Sequence, residues 1–161
     1  MKQQRGFTLV ELLVVMEIIM ILVVLAYPSL RRSFISANES SASGSIRMIA
    51  TGEASYKGAT FRDDDSNGEG DYGTLAQLYN PDGTGATPPF VDETLATGTK
   101  SGYVFTVAVT SGSATTAPAY TCIATPISPG STGYKMYYVD ETGVIRVTND
   151  GAMVGPASHP L

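Results

Sequence analysis

MKQQRGFTLVELLVVMEIIMILVVLAYPSL, Met1 to Leu30, is the stretch whose reading decides the fold. A polar leader carrying Lys2 and Arg5 ends at Gly6, and Phe7 to Tyr27 is almost wholly apolar. The only ionisable side chains in that run before Tyr27 are Glu11 and Glu17. Wound as a helix at 1.5 Å per residue, the run is about 31 Å long, close to the hydrocarbon thickness of a bilayer. Pro28 disfavours helical geometry at Tyr27, so a kink or break is expected at Pro28. The run is too long for an ordinary secretory signal, and no small-x-small cleavage pattern follows it. A simple membrane anchor is the plainest alternative. Against it stand the abrupt Arg5-Gly6-Phe7 junction and Glu11, since a carboxylate costs ~2.5–3.5 kcal/mol at a helix centre in a bilayer and less near an end.

Arg5-Gly6-Phe7-Thr8-Leu9-Val10-Glu11-Leu12-Leu13 resembles the class III signal of type IV pilins and type II secretion pseudopilins. The resemblance implies that a membrane prepilin peptidase cuts between Gly6 and Phe7. It implies that the new N-terminal Phe7 is N-methylated and that the apolar helix is kept as the core of a filament. It further implies that Glu11 pairs with the Phe7 amine of a neighbouring subunit. Pairing offsets part of the cost of two lone charges in apolar surroundings, and a subunit docked out of register leaves a carboxylate unpaired. A partly snorkelled acid near the membrane edge is the alternative for Glu11. The likeness is strong from Gly6 to Leu30 and looser from Ala37 to Arg47. Glu17 and Met20 depart from it, because relatives carry small residues there. Glu11 and Glu17 lie about 240° apart around a helix and share no face. Glu17 either stays protonated in lipid or meets a polar group in a filament. Its bulk bears on packing, since small residues let helices approach closely.

The chain has 161 residues, enough for one modest domain, with a net charge of −5. Loss of Met1–Gly6 takes the basic residues from 10 to 8 against 15 acids, giving −7. That balance argues against nucleic acid as a main partner. Lys2 and Arg5 before the apolar run predict a cytoplasmic N-terminus and an exported C-terminus. Cys122 is the one cysteine, so no intrachain disulfide can form.

Residues 29–58 read as an amphipathic continuation of the helix. Leu30, Phe34, Ala37, Ala42, Ile46, Ile49 and Ala50 form its apolar stripe, and Arg31, Arg32, Glu39, Arg47 and Glu53 are expected in solvent. Gly44 and Gly52 weaken it by ~1 kcal/mol each relative to Ala. An exported globular domain over 59–161 is expected to open with a loop region, 59–102. Short helical turns are expected there at Thr74–Tyr79 and Asp92–Ala96. A sheet over 103–148 follows, with strands at Tyr103–Val109, Tyr120–Thr125, Tyr134–Val139 and Val144–Val147. Asp140-Glu141-Thr142-Gly143 makes the last hairpin loop. The tail from Asn149 to Leu161 reads as irregular. The fold class is therefore α+β: a long N-terminal helix packed on a small antiparallel meander of about four strands.

Asp63-Asp64-Asp65-Ser66-Asn67-Gly68-Glu69-Gly70-Asp71 opens like an oxygen-ligand calcium loop, D-x-[DN]-x-[DN]-G. Asp63, Asp65 and Asn67 would supply side-chain oxygens, Glu69 a backbone carbonyl, and Asp71 the ninth-position ligand. The twelfth position is Thr74, which offers no bidentate acid. A solvated acidic turn is the alternative, and no cofactor is otherwise required. Some pseudopilins that resemble this chain carry structural calcium in the exported domain, but usually in a later loop than this one. Cys122 reads as a small buried strand residue, since no base is near it and His159 is remote. Tyr134, Tyr137 and Tyr138 read as a sheet face.

The expected function is a non-enzymatic structural subunit of a type IV pilus or type II secretion pseudopilus. Its expected partners are copies of itself or related subunits, the prepilin peptidase, assembly platform proteins and the membrane. Its expected place is the inner membrane, single-pass, and after assembly a periplasmic or cell-surface filament. The alternative is a membrane-tethered exported binding domain that does not polymerise. An anchored enzyme is disfavoured, because no nucleophile and base set converges in the sequence.

Overall fold

The computed structural model describes residues 7–113, 115–149 and 155–161. The leader 1–6, including Gly6 of the expected cleavage junction, lies outside the described residues. Helix α1 runs from Leu9 to Gly58, 50 residues, with Pro28 inside it. Of the expected kink or break, the break is absent: the helix runs on past a residue that has no N–H to donate to the preceding turn. Contacts divide the chain into two units, Met1–Phe34 and Ile35–Leu161.

In the first unit every described residue from Phe7 to Phe34 is exposed. Leu30 and Phe34 are 54% and 64% exposed, so they do not belong to the buried stripe expected of them, and Ala37 of the second unit is also exposed.

In the second unit α1 buries Ile35, Ala42, Ser45, Ile46, Ile49, Gly52, Glu53 and Tyr56. Steps of three, four and seven residues put them on one face. Glu53, expected in solvent, is 0% exposed. Gly52 is there for room: a Cβ on it would stand 3.2 Å from Phe90 Cβ.

This face of α1 packs on an antiparallel sheet that has six strands among the described residues, in sequence order, not four. They are β1 (Thr99–Lys100), β2 (Tyr103–Thr110), β3 (Ala119–Pro126), β4 (Met136–Asp140), β5 (Arg146–Thr148) and β6 (His159–Pro160). The two extra strands are two residues each, too short to show alternation. A tight turn at Ser101 and Gly102, with φ of 50° and 74°, folds β1 onto β2. Strand β6 pairs Pro160 with Arg146 and corrects the expectation of an irregular tail, of which residues 150–154 lie outside the described ones.

Register brings Phe105 opposite Ala124, Val107 opposite Cys122, and Cys122 opposite Val139. With Tyr103, Tyr120 and Tyr137 these close one core against Ala42, Ile46, Ile49 and Tyr56. Two short helices lie between α1 and the sheet in sequence. Helix α2 (Leu75–Tyr79) starts at Thr74, which forms a capping box with Gln77. Helix α3 (Glu93–Ala96) is capped by Asp92, which also pairs with Lys100. Leu75, Leu78 and Leu95 complete the core from this side.

Candidate assembly site and acidic loop

The first candidate site is the start of α1. Phe7 is 78% exposed, and the helix begins two residues later. Thr8 donates its N–H and its hydroxyl to Glu11 Oε2, at 2.9 and 2.6 Å. The Glu11 N–H in turn donates to Thr8 Oγ1 at 3.3 Å. This reciprocal arrangement is a capping box, and it satisfies backbone donors that the first turn leaves open. Its signal, Thr-x-x-Glu, stands in the sequence; the reading of Glu11 as a charge partner alone passed over it. Glu17 lies on the same exposed helix, among Leu13, Met20 and Ile21, one turn away on either side. Among the described residues, α1 is the one helix long and apolar enough to cross a membrane, with a mean hydropathy of 2.9 in its most apolar window.

The second candidate is the acidic loop, whose side-chain oxygens turn to the loop's own backbone. Asp63 accepts from the N–H groups of Asn67 and Gly68, at 3.1 and 2.9 Å. Asp65 accepts from the Asn67 N–H and side-chain amide, at 3.2 and 2.9 Å, and Asn67 Oδ1 from the Glu69 N–H at 2.6 Å. Left-handed backbone at Ser66 and Gly68, φ 55° and 87°, makes this winding possible. Asp71 is 2% exposed. It accepts from the Asp64 N–H at 2.9 Å and from the Gly112 N–H at 2.6 Å, tying the loop to the β2–β3 connection. Asp64 instead pairs with Arg62 at 2.6 Å. The Arg62 guanidinium, through its hydrogen bonds, holds the Asp64 carboxyl below its ordinary range. Glu69 is exposed beside a surface hollow formed with Lys57, Thr60 and Tyr72. Among the described residues, no three His, Cys, Asp or Glu side chains are placed to hold a metal ion. The five expected ligands share one loop, with the side-chain oxygens of Asp63, Asp65, Asn67 and Asp71 on backbone amides, and Thr74 is committed to capping α2.

Cys122 is buried and unpaired among the described residues, and burial, with the Glu53 carboxyl adding to it, pushes its thiol up to about 12. His159 is exposed on β6. Tyr134 is 57% exposed and precedes β4, whereas Tyr137 and Tyr138 are buried, so the three do not form one face.

No curated protein and no solved structure matches the chain. A family model does, the prokaryotic N-terminal methylation motif, over residues 1–27. This match marks residues 1–27 as the class III signal of type IV pilins and pseudopilins, and with the exposed apolar helix that follows Phe7 it supports a type IV pilin-like exported protein anchored in the membrane.

Proposed function

We propose that the protein is a structural subunit of a type IV pilus or type II secretion pseudopilus. It polymerises through α1 after the leader is cut between Gly6 and Phe7. The observation that carries this is the surface of the first unit: a largely apolar helix exposed from end to end, with Glu11 in its first turn and Glu17 two turns further on. Such a surface is stable only in lipid or against other helices. A free Phe7 amine on a neighbouring copy is a partner for Glu11 that lipid does not supply. The prepilin peptidase and assembly platform proteins are the further partners this reading calls for, in the inner membrane before assembly and beyond it afterwards. The role is structural, not catalytic.

Two measurements on cells carrying a tagged copy test it. N-terminal mass analysis is expected to find a mature chain starting at methylated Phe7, and imaging is expected to find the tag along filaments. An intact Met1 terminus, or cleavage beyond Pro28, overturns the processing step. A mature Phe7 terminus with the protein confined to the membrane leaves a tethered exported domain instead.

A further inference from the structure

Among the described residues of the second unit, four polar or charged ones are buried: Ser45, Glu53, Asp71 and Asp140. Asp71 holds two backbone amides, and Asp140 holds Thr142 and Arg146. Glu53 differs. Its Oε2 accepts from the Gly73 N–H at 2.9 Å, but its Oε1 is buried and meets no hydrogen-bond donor among the described residues. The segment it holds fits closely, since a Cβ at Gly73 would meet the Tyr56 ring at 3.1 Å. Tyr56 lies one turn beyond Glu53 on α1, so the helix grips the Asp71–Thr74 segment at two successive turns.

No cation opposes a charge at Glu53 among the described residues. The groups that sense it are Tyr56 on α1, Tyr72 on the gripped segment, and Tyr120 and Cys122 on β3. Burial raises the pKa of each, so all four are neutral near pH 7. In the next shell Arg62 and Asp64 act on Tyr56, Glu141 on Tyr72 and Asp140 on Tyr120. A buried carboxylate oxygen that no protein donor reaches is costly, whereas a carboxylic acid in the same place carries no net charge. We propose that Glu53 is a proton-operated latch between helix α1 and the Asp71–Thr74 segment, tightest with a proton on Oε1 and looser when the carboxyl ionises. The latch is independent of the filament reading.

The sign follows from linkage. Burial, countered in part by the Gly73 N–H, raises the Glu53 pKa to about 7. The closed form therefore binds the proton more tightly than the open one. Its extra stability is complete below the ordinary glutamate value, is lost as pH rises toward about 7, and does not change further above that.

Hydrogen exchange of the Gly73 amide in the detergent-solubilised full chain, corrected for intrinsic exchange, tests the latch. The opening constant is expected to rise about tenfold per pH unit between roughly pH 5 and 7, then level off. In Glu53→Gln, which cannot ionise, it is expected to stay flat. Should that variant not fold, carbon NMR of the wild-type carboxyl serves instead: Glu53 is expected to titrate near neutrality with the Gly73 amide shift following the same midpoint. A slope that survives in Glu53→Gln, flat exchange in the wild type, or a Glu53 carboxyl titrating at its ordinary value each overturns the proposal.

Discussion

Thr8 and Glu11 cap each other across the first turn of α1, the threonine amide and hydroxyl meeting one carboxylate oxygen while the Glu11 amide returns to Thr8 Oγ1. Glu11 therefore serves two physical ends, helix capping within the chain and, in the proposed filament, charge pairing between chains. The two separate by mutation. Glutamine can take the third position of a capping box but carries no charge. Glu11→Gln is expected to leave membrane insertion intact and to cut filament yield as deeply as Glu11→Ala. Thr8→Ala is expected to lose about 1 kcal/mol of cap while keeping the charge, with a milder effect on yield. Normal filament yield from Glu11→Gln removes the pairing with the Phe7 amine.

Processing has its own test at Gly6. A branched side chain there crowds the bond to be cut, so Gly6→Val is expected to leave the six-residue leader attached, read by mass at the N-terminus. Filaments are then expected to be absent, because an uncut chain has no free amine at Phe7. Mature Phe7 termini in that variant would show that the junction is not read at Gly6.

The first unit was legible in sequence because nothing competes with its signal: an apolar run of membrane length has few other fates. Strands β2 to β5 were legible through alternation, although β4 starts at Met136 rather than Tyr134. Strands β1 and β6 were not, since two residues carry no period and their pairing is decided by the neighbours they meet. Glu53 was misplaced because its charge was weighted above its position. Ile46, Ile49, Glu53 and Tyr56 keep helical spacing, and the stripe was buried whole. The acidic loop carries two readings in sequence for a related reason. Alternate Asp and Asn before Gly suits a cation, but it also suits a turn whose carboxylates accept their own backbone N–H groups.

That distinction sets an expectation for the loop. With its oxygens on amides, the detergent-solubilised chain is expected to melt at the same temperature in millimolar calcium and in chelator. Asp71→Ala is expected to lower the midpoint by several degrees in both, since it leaves the Asp64 and Gly112 amides without their acceptor at ~1–3 kcal/mol. A calcium-dependent rise, lost on changing Asp63 and Asp65 together to Ala, would restore the metal reading. Ligand at ~100 times its dissociation constant would add ~2.7 kcal/mol.

Glu39 closes the connection between β3 and β4, and its pH dependence runs opposite to that of Glu53. Its Oε1 accepts from the N–H groups of Tyr134 and Lys135, at 3.0 and 3.4 Å, and its Oε2 pairs with Lys135 Nζ at 3.0 Å. Its own carbonyl accepts from the Tyr137 hydroxyl at 3.1 Å. Burial works to raise the Glu39 pKa, but the two amides and Lys135 together outweigh it and hold the carboxyl below its ordinary value. A carboxyl with a depressed folded pKa contributes stability above its ordinary pKa and loses it as pH falls through the folded one. Glu39→Ala is expected to cost about 1.5–3 kcal/mol at pH 7, the range for hydrogen bonds to a charged group. Glu39→Gln keeps one acceptor and is expected to cost less. Lys135→Met removes a half-exposed partner, for about 0–1 kcal/mol. Denaturant melts carried down from pH 7 through the lowered folded pKa of Glu39 are expected to narrow the gap between wild type and Glu39→Gln, because the native carboxyl then takes up its proton and becomes the neutral group that glutamine already is. A gap that holds constant over that range would mean that Glu39 fastens the connection by shape alone, with no contribution from its charge.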